Sequence, residues 1–237
     1  MPVRSETSPA ADPVPVRNAA TIIAIRDPAG PAPSVLMGQR GKAAAFMPDK
    51  FVFPGGAVDP GDAEVPLSAP LPATCAAALT DRAPAGLADA LAAAAIRELW
   101  EEAGLALGRP GHWPDPPPDW RDFARLGLRP SAESLRFVFR AITPPGRSRR
   151  FDARFFLTDA AQLAGDPDDF SRASDELSAL QWVPLSEARR FNLPFITEVV
   201  LAEVAAALPS LAPPKTVPFF RNDDEESLFL RLGGRAL

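Results

Sequence analysis

Histidine and cysteine are almost absent from this chain, and each shortage argues against a class of site. The 237 residues contain one histidine, His112, and one cysteine, Cys75. A single cysteine excludes an intramolecular disulfide framework and is typical of a reducing compartment, so we expect a cytoplasmic protein. Cys75 is predicted to be a small buried hydrophobe, and His112 to be exposed and inert. The chain has no His/Cys zinc cluster, and a Ser-His-Asp triad is not expected with one histidine.

Long hydrophobic runs and an excess of positive charge are also missing. The longest weakly polar run, 88–96, is mostly alanine and too short to cross a bilayer. Residues 1–17 lack the apolar core of a secretory signal and are predicted to form a disordered tail. The net charge of −5 creates no field that favours nucleic acid or an anionic membrane, so neither is an expected partner. A phosphate-bearing small molecule stays open, because a bound metal can supply positive charge locally.

The spacing of apolar residues predicts an α+β fold. Strands are predicted at 21–25, 35–37, 51–53, 135–141, 153–157 and 180–183, with helices at 87–102, 119–126 and 193–208. Runs of strands with few, well-separated helices favour this class over a doubly wound sheet. Residues 63–86 are rich in proline and alanine and lack a period, so we expect an inserted loop with a helical turn near Cys75.

Three carboxylates share one face of the helix predicted at 87–102. With Arg97 at zero on a helical wheel, Glu101 lies at about 40°, Glu98 at about 100° and Glu102 at about 140°. Like charges this close repel each other by about a few tenths of a kcal/mol per pair. Hard divalent cations such as Mg²⁺ bind carboxylate oxygens, so the face predicts a metal site. A solvated acidic face is the alternative.

The residues around this face resemble the signature of the Nudix hydrolase family. That signature is a glycine, five residues, an acid, seven residues, and then Arg-Glu-aliphatic-x-Glu-Glu-x-Gly-aliphatic. Here residues 97–105 read Arg-Glu-Leu-Trp-Glu-Glu-Ala-Gly-Leu and match the second half, Gly104 included. Gly56 ends the run Phe-Pro-Gly-Gly and is followed after five residues by Asp62, where the family usually has glutamate.

The two halves of the signature stand further apart than in the family pattern. Thirty-four residues, 63–96, separate Asp62 from Arg97 where the pattern expects seven. The cost of closing a loop grows only logarithmically with its length, so the halves can still meet in space. A long insert at this point resembles the subgroup of peroxisomal coenzyme A diphosphatases. Further similarity to that subgroup lies at 46–56, 142–144 and 150–156.

The resemblance implies a fold, a domain and a metal site. The fold would be an α/β/α sandwich around a mixed β-sheet, with the loop-helix-loop motif on one side. The domain would cover residues 18–208, and 209–237 would be an extension that packs on or trails it. Mg²⁺ or Mn²⁺ would be held by Gly55, Glu98, Glu101 and Glu102.

Other roles follow from the same resemblance. Arg97 would orient Glu101 or Asp62 rather than touch the substrate. Gly56 would permit close approach of the backbone. Asp62 is one methylene shorter than the usual glutamate, so any contact it makes would be shifted.

Two candidates for the catalytic base stay open, and three arginines are candidates for binding substrate. The base would be Glu176, in a loop before a predicted strand, or Glu98 itself. Glu176 could equally be a solvated loop acid. Because guanidinium groups suit phosphate oxygens, substrate-binding candidates are Arg40, Arg149 and Arg150. Each could instead be a solvated side chain.

The function implied by the resemblance is metal-dependent hydrolysis of a diphosphate that joins a nucleoside to another moiety. Coenzyme A or an acyl-coenzyme A is the leading substrate, by similarity to the subgroup. ADP-ribose, NADH, another dinucleotide or a damaged nucleotide are alternatives, as is a Nudix domain that binds a nucleotide without cleaving it. The sequence does not fix the oligomeric state, and a homodimer stays open.

Overall fold

The structure is a computed structural model that describes residues 14–42, 44, 46–84, 86–222 and 227–232. Its strands are β1 (Val16–Arg26), β2 (Ser34–Arg40), β3 (Phe51–Val52), β4 (Gly55–Ala57), β5 (Gly108–Pro110), β6 (Leu128–Pro130), β7 (Arg136–Ile142), β8 (Arg150–Asp159), β9 (Leu177–Pro184), β10 (Val217–Asn222) and β11 (Ser227–Leu232). Its α-helices are α1 (Ala73–Thr80), α2 (Leu87–Ala103), α3 (Arg121–Arg125) and α4 (Phe195–Ala207). Short 3-10 helices lie at Pro60–Glu64, Pro118–Trp120, Ala160–Gln162 and Ala188–Arg190.

A mixed nine-stranded sheet organises the molecule. Seven strands lie in the order β11-β10-β7-β8-β1-β2-β3, while β4 pairs with β1 and β9 with β2. β1 is parallel to β8 on one side. On its other side, residues 19–21 pair with β4, and Ile25 and Arg26 pair with β2. β2 and β4 therefore share one edge of β1, and β4 carries Gly55 and Gly56 to the middle of that edge.

Helices cover both faces of this sheet, which confirms the predicted α/β/α sandwich. Successive residues of a strand point to opposite faces. Accordingly, Ile22 and Ala24 pack in the core that contains α1 and α2, while Ile23 and Ile25 pack in the core that contains α4. All four side chains are fully buried. The central strand β1 is thus apolar on both faces, which explains why its sequence is an almost continuous apolar run.

The long helices and buried strands lie where the apolar spacing predicted them. The helix predicted at 87–102 is α2, and it ends where Gly104 adopts a left-handed conformation (φ 72°) and donates its amide to the carbonyl of Trp100. The helix predicted at 193–208 is α4. The short strands β4, β5 and β6 were not predicted, since three residues carry too little pattern to identify a strand. The edge strand β11 was also missed.

The insert and both ends of the domain differ from the prediction. The insert contains a complete helix, α1, whose Cys75 and Leu79 are buried in the core beneath α2, where only a helical turn was expected. β1 begins at Val16, two residues before the predicted domain. In the predicted extension, β10 and β11 join the main sheet beside β7. Residues 1–13 of the predicted tail lie outside the described residues.

The helices in the described part of the chain are all too short or too polar to cross a membrane. The longest described helix is α2, with 17 residues, and it carries the carboxylates of the motif.

Candidate active site

The predicted carboxylate face of α2 is largely buried. Glu98 is 9% exposed, Glu102 2% and Arg97 6%, while the side chain of Glu101 keeps 38% of its exposure. β4 and the 3-10 helix Pro60–Glu64 lie against this part of α2. A solvated acidic face, the alternative considered from sequence, therefore does not describe Glu98 and Glu102.

Arg97 connects the two halves of the motif. Its Nε and Nη2 donate to the two carboxylate oxygens of Asp62 at 2.9 and 3.0 Å. Its Nη1 donates to Glu98 at 2.9 Å and to Glu101 at 3.0 Å. Nη2 also reaches the carbonyl of Ala57 at 3.0 Å. The sequence offered Asp62 or Glu101 as the partner of Arg97, and the structure shows that both are bound at once.

Asp62 reaches Arg97 because its turn folds back onto α2. It is 2% exposed and lies in the 3-10 helix Pro60–Glu64. Its Oδ2 accepts the amide of Asp59 at 2.8 Å, which fixes the start of that turn. The shorter aspartate side chain therefore still binds both donors of the guanidinium edge, and the 34-residue separation is bridged in space.

Two glycines in β4 bring the backbone against the carboxylates. A Cβ at Gly56 would overlap both carboxylate oxygens of Glu98, so no larger residue fits without displacing that carboxylate. The amide of Gly55 donates to Glu102 Oε2 at 2.8 Å. The contact seen is made by the amide of Gly55, and its carbonyl as a metal ligand stays a prediction.

Burial raises the pKa of all three glutamates. The pKa of Glu98 rises to about 7, chiefly through burial, although Arg97 opposes the shift. The pKa of Glu102 rises to about 8, through burial and then the charge of Glu98. The pKa of Glu101 is also raised by burial, with Arg97 opposing. Glu176 contributes a smaller repulsion to both Glu98 and Glu102. The positive charge of Arg97 therefore does not balance the negative charges of these glutamates.

The donor set fits a divalent cation, although the side chains are not arranged as ready-made ligands. Glu102 Oε1 is buried and has no hydrogen-bond partner among the described residues. An unsatisfied buried carboxylate oxygen is costly unless a cation or donor binds it. Within the described ranges, no three His, Cys, Asp or Glu side chains converge as a metal site. Two of the three glutamates are instead hydrogen-bonded to Arg97 Nη1, so metal binding would require them to reorient.

A loop between β8 and β9 docks on the end of α2 and carries Glu176. The amide of Ser174 donates to the carbonyl of Glu101 at 2.9 Å. A Cβ at Gly104 would overlap the backbone at 172–173, so the glycine permits this contact as well as the left-handed helix end. The loop glutamate predicted from sequence is thus brought to the same group of acids.

Arg40 at the end of β2 links Glu176 to this group. Its Nη2 donates to Glu176 Oε1 at 2.9 Å, and its Nη1 lies 4.0 Å from Glu102 Oε1. Arg40 pairs in register with Leu177, the residue after Glu176, so the pairing of β2 with β9 sets this geometry. Of the three arginines proposed to bind substrate, Arg40 is the one that the described contacts join to the carboxylates.

The other two arginines, Arg149 and Arg150, are not joined to the carboxylates by any described contact. Arg149 is exposed in the turn before β8. Arg150 is 7% exposed and donates to the carbonyls of Thr143 and Asn222 at 3.1 and 3.2 Å. Arg150 therefore ties β7, β8 and β10 together, a structural role that the sequence did not separate from phosphate binding.

One residue near the site was missed from sequence. Asp119 lies in the Pro-rich loop before α3, and its charge is among the influences that raise the pKa of Glu101, after burial. Its neighbour Trp120 packs edge-on against Phe123, and Phe123 packs edge-on against Trp100 of α2. This aromatic series holds the loop beside the motif. The sequence shows aromatic residues at 120 and 123, but it does not show that Phe123 packs against Trp100 of α2.

Residues 74–204 match the family model described as the NUDIX domain. That segment is more than half of the chain and contains the whole of 97–105. The chain belongs to the Nudix hydrolase family. The matched segment begins after Gly56 and Asp62, so it does not include the first half of the motif. In this Nudix protein, the contacts of Asp62 and Gly56 with α2 bring that first half to the second.

Three proteins illustrate the similarity. The chain is 31% identical over 166 residues to nudix hydrolase 7 of Caenorhabditis elegans, across 65% of the chain and 47% of that relative. It is 30% identical over 217 residues to the acyl-coenzyme A diphosphatase NUDT19 of Gallus gallus, across 68% of the chain and 57% of that relative. A crystal structure of a Nudix hydrolase from Alicyclobacillus acidocaldarius has a TM-score of 0.60 at 30% identity, covering 81% of this chain and 92% of its own. The chain spans about half the length of the two curated relatives.

Proposed function

We propose that this Nudix protein hydrolyses the diphosphate of a nucleoside diphosphate linked to another moiety, with Mg²⁺ or Mn²⁺. The observation that carries the proposal is the group formed by Glu98, Glu101 and Glu102 around Arg97, with β4 packed against it. Glu98 and Glu102 are buried and repel each other, and one oxygen of Glu102 has no hydrogen-bond partner among the described residues. A protein that only bound nucleotides would not need such a costly group.

The three glutamates would hold the cation. Bound there, Mg²⁺ or Mn²⁺ would polarise the diphosphate and lower the pKa of an attacking water. Arg97 would keep Glu98 and Glu101 within reach of each other, because one Nη1 contacts both. Gly56 would let the Glu98 carboxylate lie directly on the backbone of β4.

We propose Glu176 as the general base, with Glu98 as the alternative. The side chain of Glu176 is 55% exposed and makes one side-chain ion pair, with Arg40, among the described residues. It can therefore accept a proton from water at the edge of the site. Glu98 is buried and hydrogen-bonded to Arg97, so it is less accessible than Glu176 to a water molecule that must give up a proton.

Coenzyme A or an acyl-coenzyme A is the substrate that we propose. The support is the similarity to an acyl-coenzyme A diphosphatase across 68% of the chain, together with the long insert inside the motif. Arg40 would contact a substrate phosphate in addition to Glu176, because guanidinium groups suit phosphate oxygens. ADP-ribose and NADH are the competing substrates.

The test is a panel of coenzyme A, acetyl-coenzyme A, ADP-ribose and NADH, each with Mg²⁺ and with Mn²⁺. We expect diphosphate cleavage with coenzyme A or acetyl-coenzyme A at the highest kcat/KM, and none with EDTA. Glu101→Gln is expected to abolish turnover, while Glu64→Gln, at an exposed position in the adjacent turn, leaves it unchanged. Binding without turnover by any substrate would instead identify a nucleotide-binding domain.

A further inference from the structure

A buried arginine on β8 has an unused hydrogen-bonding edge. Arg154 is 1% exposed. Its Nη1 donates to Asn18 Oδ1 and to the carbonyl of Asp152, both at 2.7 Å. Its Nε and Nη2 have no hydrogen-bond partner within the described part of the chain. Because unpaired buried donors are costly, this edge of the guanidinium requires an acceptor.

The adjacent carboxylate of Asp152 does not bind this edge of Arg154. Both oxygens of Asp152 are bound by Arg140, through Nε at 2.8 Å and Nη2 at 2.7 Å. Arg154 reaches Asp152 Oδ2 only through Nη1, at 3.2 Å. Two guanidiniums thus share one carboxylate. Burial, helped by the charge of Arg140, lowers the pKa of Arg154 to about 10 although Asp152 opposes the shift.

We propose that the free edge of Arg154 binds a small oxyanion of the phosphate class. Nε–H and Nη2–H point in parallel, so they match two oxygens of a phosphate or sulfate. Arg140, which shares Asp152 with Arg154, donates to the carbonyls of Asp81 and Arg82 between α1 and α2 at 3.0 Å, so the shared carboxylate connects the proposed site to the insert.

This site is separate from the carboxylates of α2. Gly56, Ala20, Arg154 and Arg140 are register neighbours on β4, β1, β8 and β7. Adjacent strands lie about 4.8 Å apart, which puts the backbone of Arg154 about 10 Å from that of Gly56. The described contacts of Arg154 include none of the residues proposed for hydrolysis, so either proposal can fail without the other.

The decisive experiment is calorimetric titration of the full chain with inorganic phosphate and with sulfate, in EDTA. Acetate and chloride at equal ionic strength are the comparison anions. We expect saturable binding of phosphate in the millimolar range or tighter, accompanied by a rise in Tm of a few degrees. Working at low millimolar concentrations avoids the general stabilisation by phosphate and sulfate that arises from their exclusion at the protein surface. No binding to the wild-type chain would overturn the proposal in favour of an ordered water.

Four variants assign the binding to this edge. Arg154→Gln is expected to abolish phosphate binding, whereas Arg149→Gln, five residues earlier and exposed, and Arg40→Gln, at the other site, should retain it. Arg154→Lys keeps the charge but lacks the paired donors, so its affinity for phosphate should fall at least tenfold. This variant provides the test if Arg154→Gln does not fold. Wild-type affinity in the Lys variant, or loss of binding in Arg40→Gln alone, would contradict the assignment.

Discussion

Arg97 and Asp62 form a bidentate ion pair although thirty-four residues separate them in the chain. Nε to Oδ1 is 2.9 Å and Nη2 to Oδ2 is 3.0 Å, with both side chains almost fully buried. This pair joins the 3-10 turn after β4 to α2, and the same guanidinium then reaches Glu98 and Glu101. It therefore holds the two halves of the motif together in space.

Replacing Asp62 should destabilise the fold. Asp62→Asn would weaken both bonds to the Nε/Nη2 edge of Arg97, which should cost about 2 kcal/mol, while Glu98 and Glu101 still bind Nη1. Asp59→Asn is the matched control, because Asp59 lies 3.7 Å from Arg97 but is 58% exposed on its side chain. That pair should contribute about 1 kcal/mol or less. Urea unfolding of both variants measures the difference, and equal free energies of unfolding would contradict the role given to Asp62.

Gly56→Ala should impair activity far more than stability. The added Cβ overlaps the Glu98 carboxylate, which is the mobile end of a side chain and can move away at low cost. A displacement of the Glu98 carboxylate by about 1 Å should lower kcat/KM by about 100-fold. The control is Gly61→Ala, where a Cβ meets nothing within 4 Å. Steady-state kinetics measure the loss of activity, and thermal melts measure the change in stability. Wild-type activity in Gly56→Ala would contradict a role in hydrolysis for the Glu98 carboxylate in its position against β4.

Glu176→Gln tests the proposed general base. Loss of the base should lower kcat by about 100-fold or more with little change in KM. Glu187→Gln is a suitable control, since Glu187 is an exposed acid paired with Arg190. Arg40→Gln should also lower kcat, because it removes the ion pair that holds Glu176 in position. If Arg40 also contacts a substrate phosphate, the same variant should raise KM. An unchanged kcat in Glu176→Gln would favour Glu98 as the base.

The metal-free protein should lose stability as pH rises from about 5 to about 8. Folded Glu98 and Glu102 have pKa values of about 7 and 8 against an ordinary value of 4.5, so in this window the folded state binds more protons than the unfolded state. Stability then falls with increasing pH. Thermal melts in EDTA measure the slope, which Glu102→Gln should flatten and Glu64→Gln should not. Mg²⁺ should raise Tm more at pH 8 than at pH 6, because metal binding requires deprotonated carboxylates.

Most of the buried elements could be predicted from local pattern. The four-residue recurrence of leucine and alanine predicted α2, and apolar runs predicted β1, β2, β7, β8 and β9. β4 could not be predicted, because its three residues, two of them glycine, carry no pattern and it exists only through pairing with β1. The role of Arg150 was also hidden, since an arginine that binds carbonyls and one that binds phosphate look alike in sequence.

The sequence by itself determined the family, the position of α2 and the acids that this helix carries, because these depend on spacing along one helix. Only the tertiary structure decided that Arg97 binds Asp62, Glu98 and Glu101 together, and that Glu176 reaches the site through Arg40. Only the structure could reveal the unused edge of Arg154, because its neighbours Asn18, Asp152 and Arg140 come from three different strands. Spacing within a helix is a local property, whereas burial and the pairing of charges depend on which distant segments the sheet brings together.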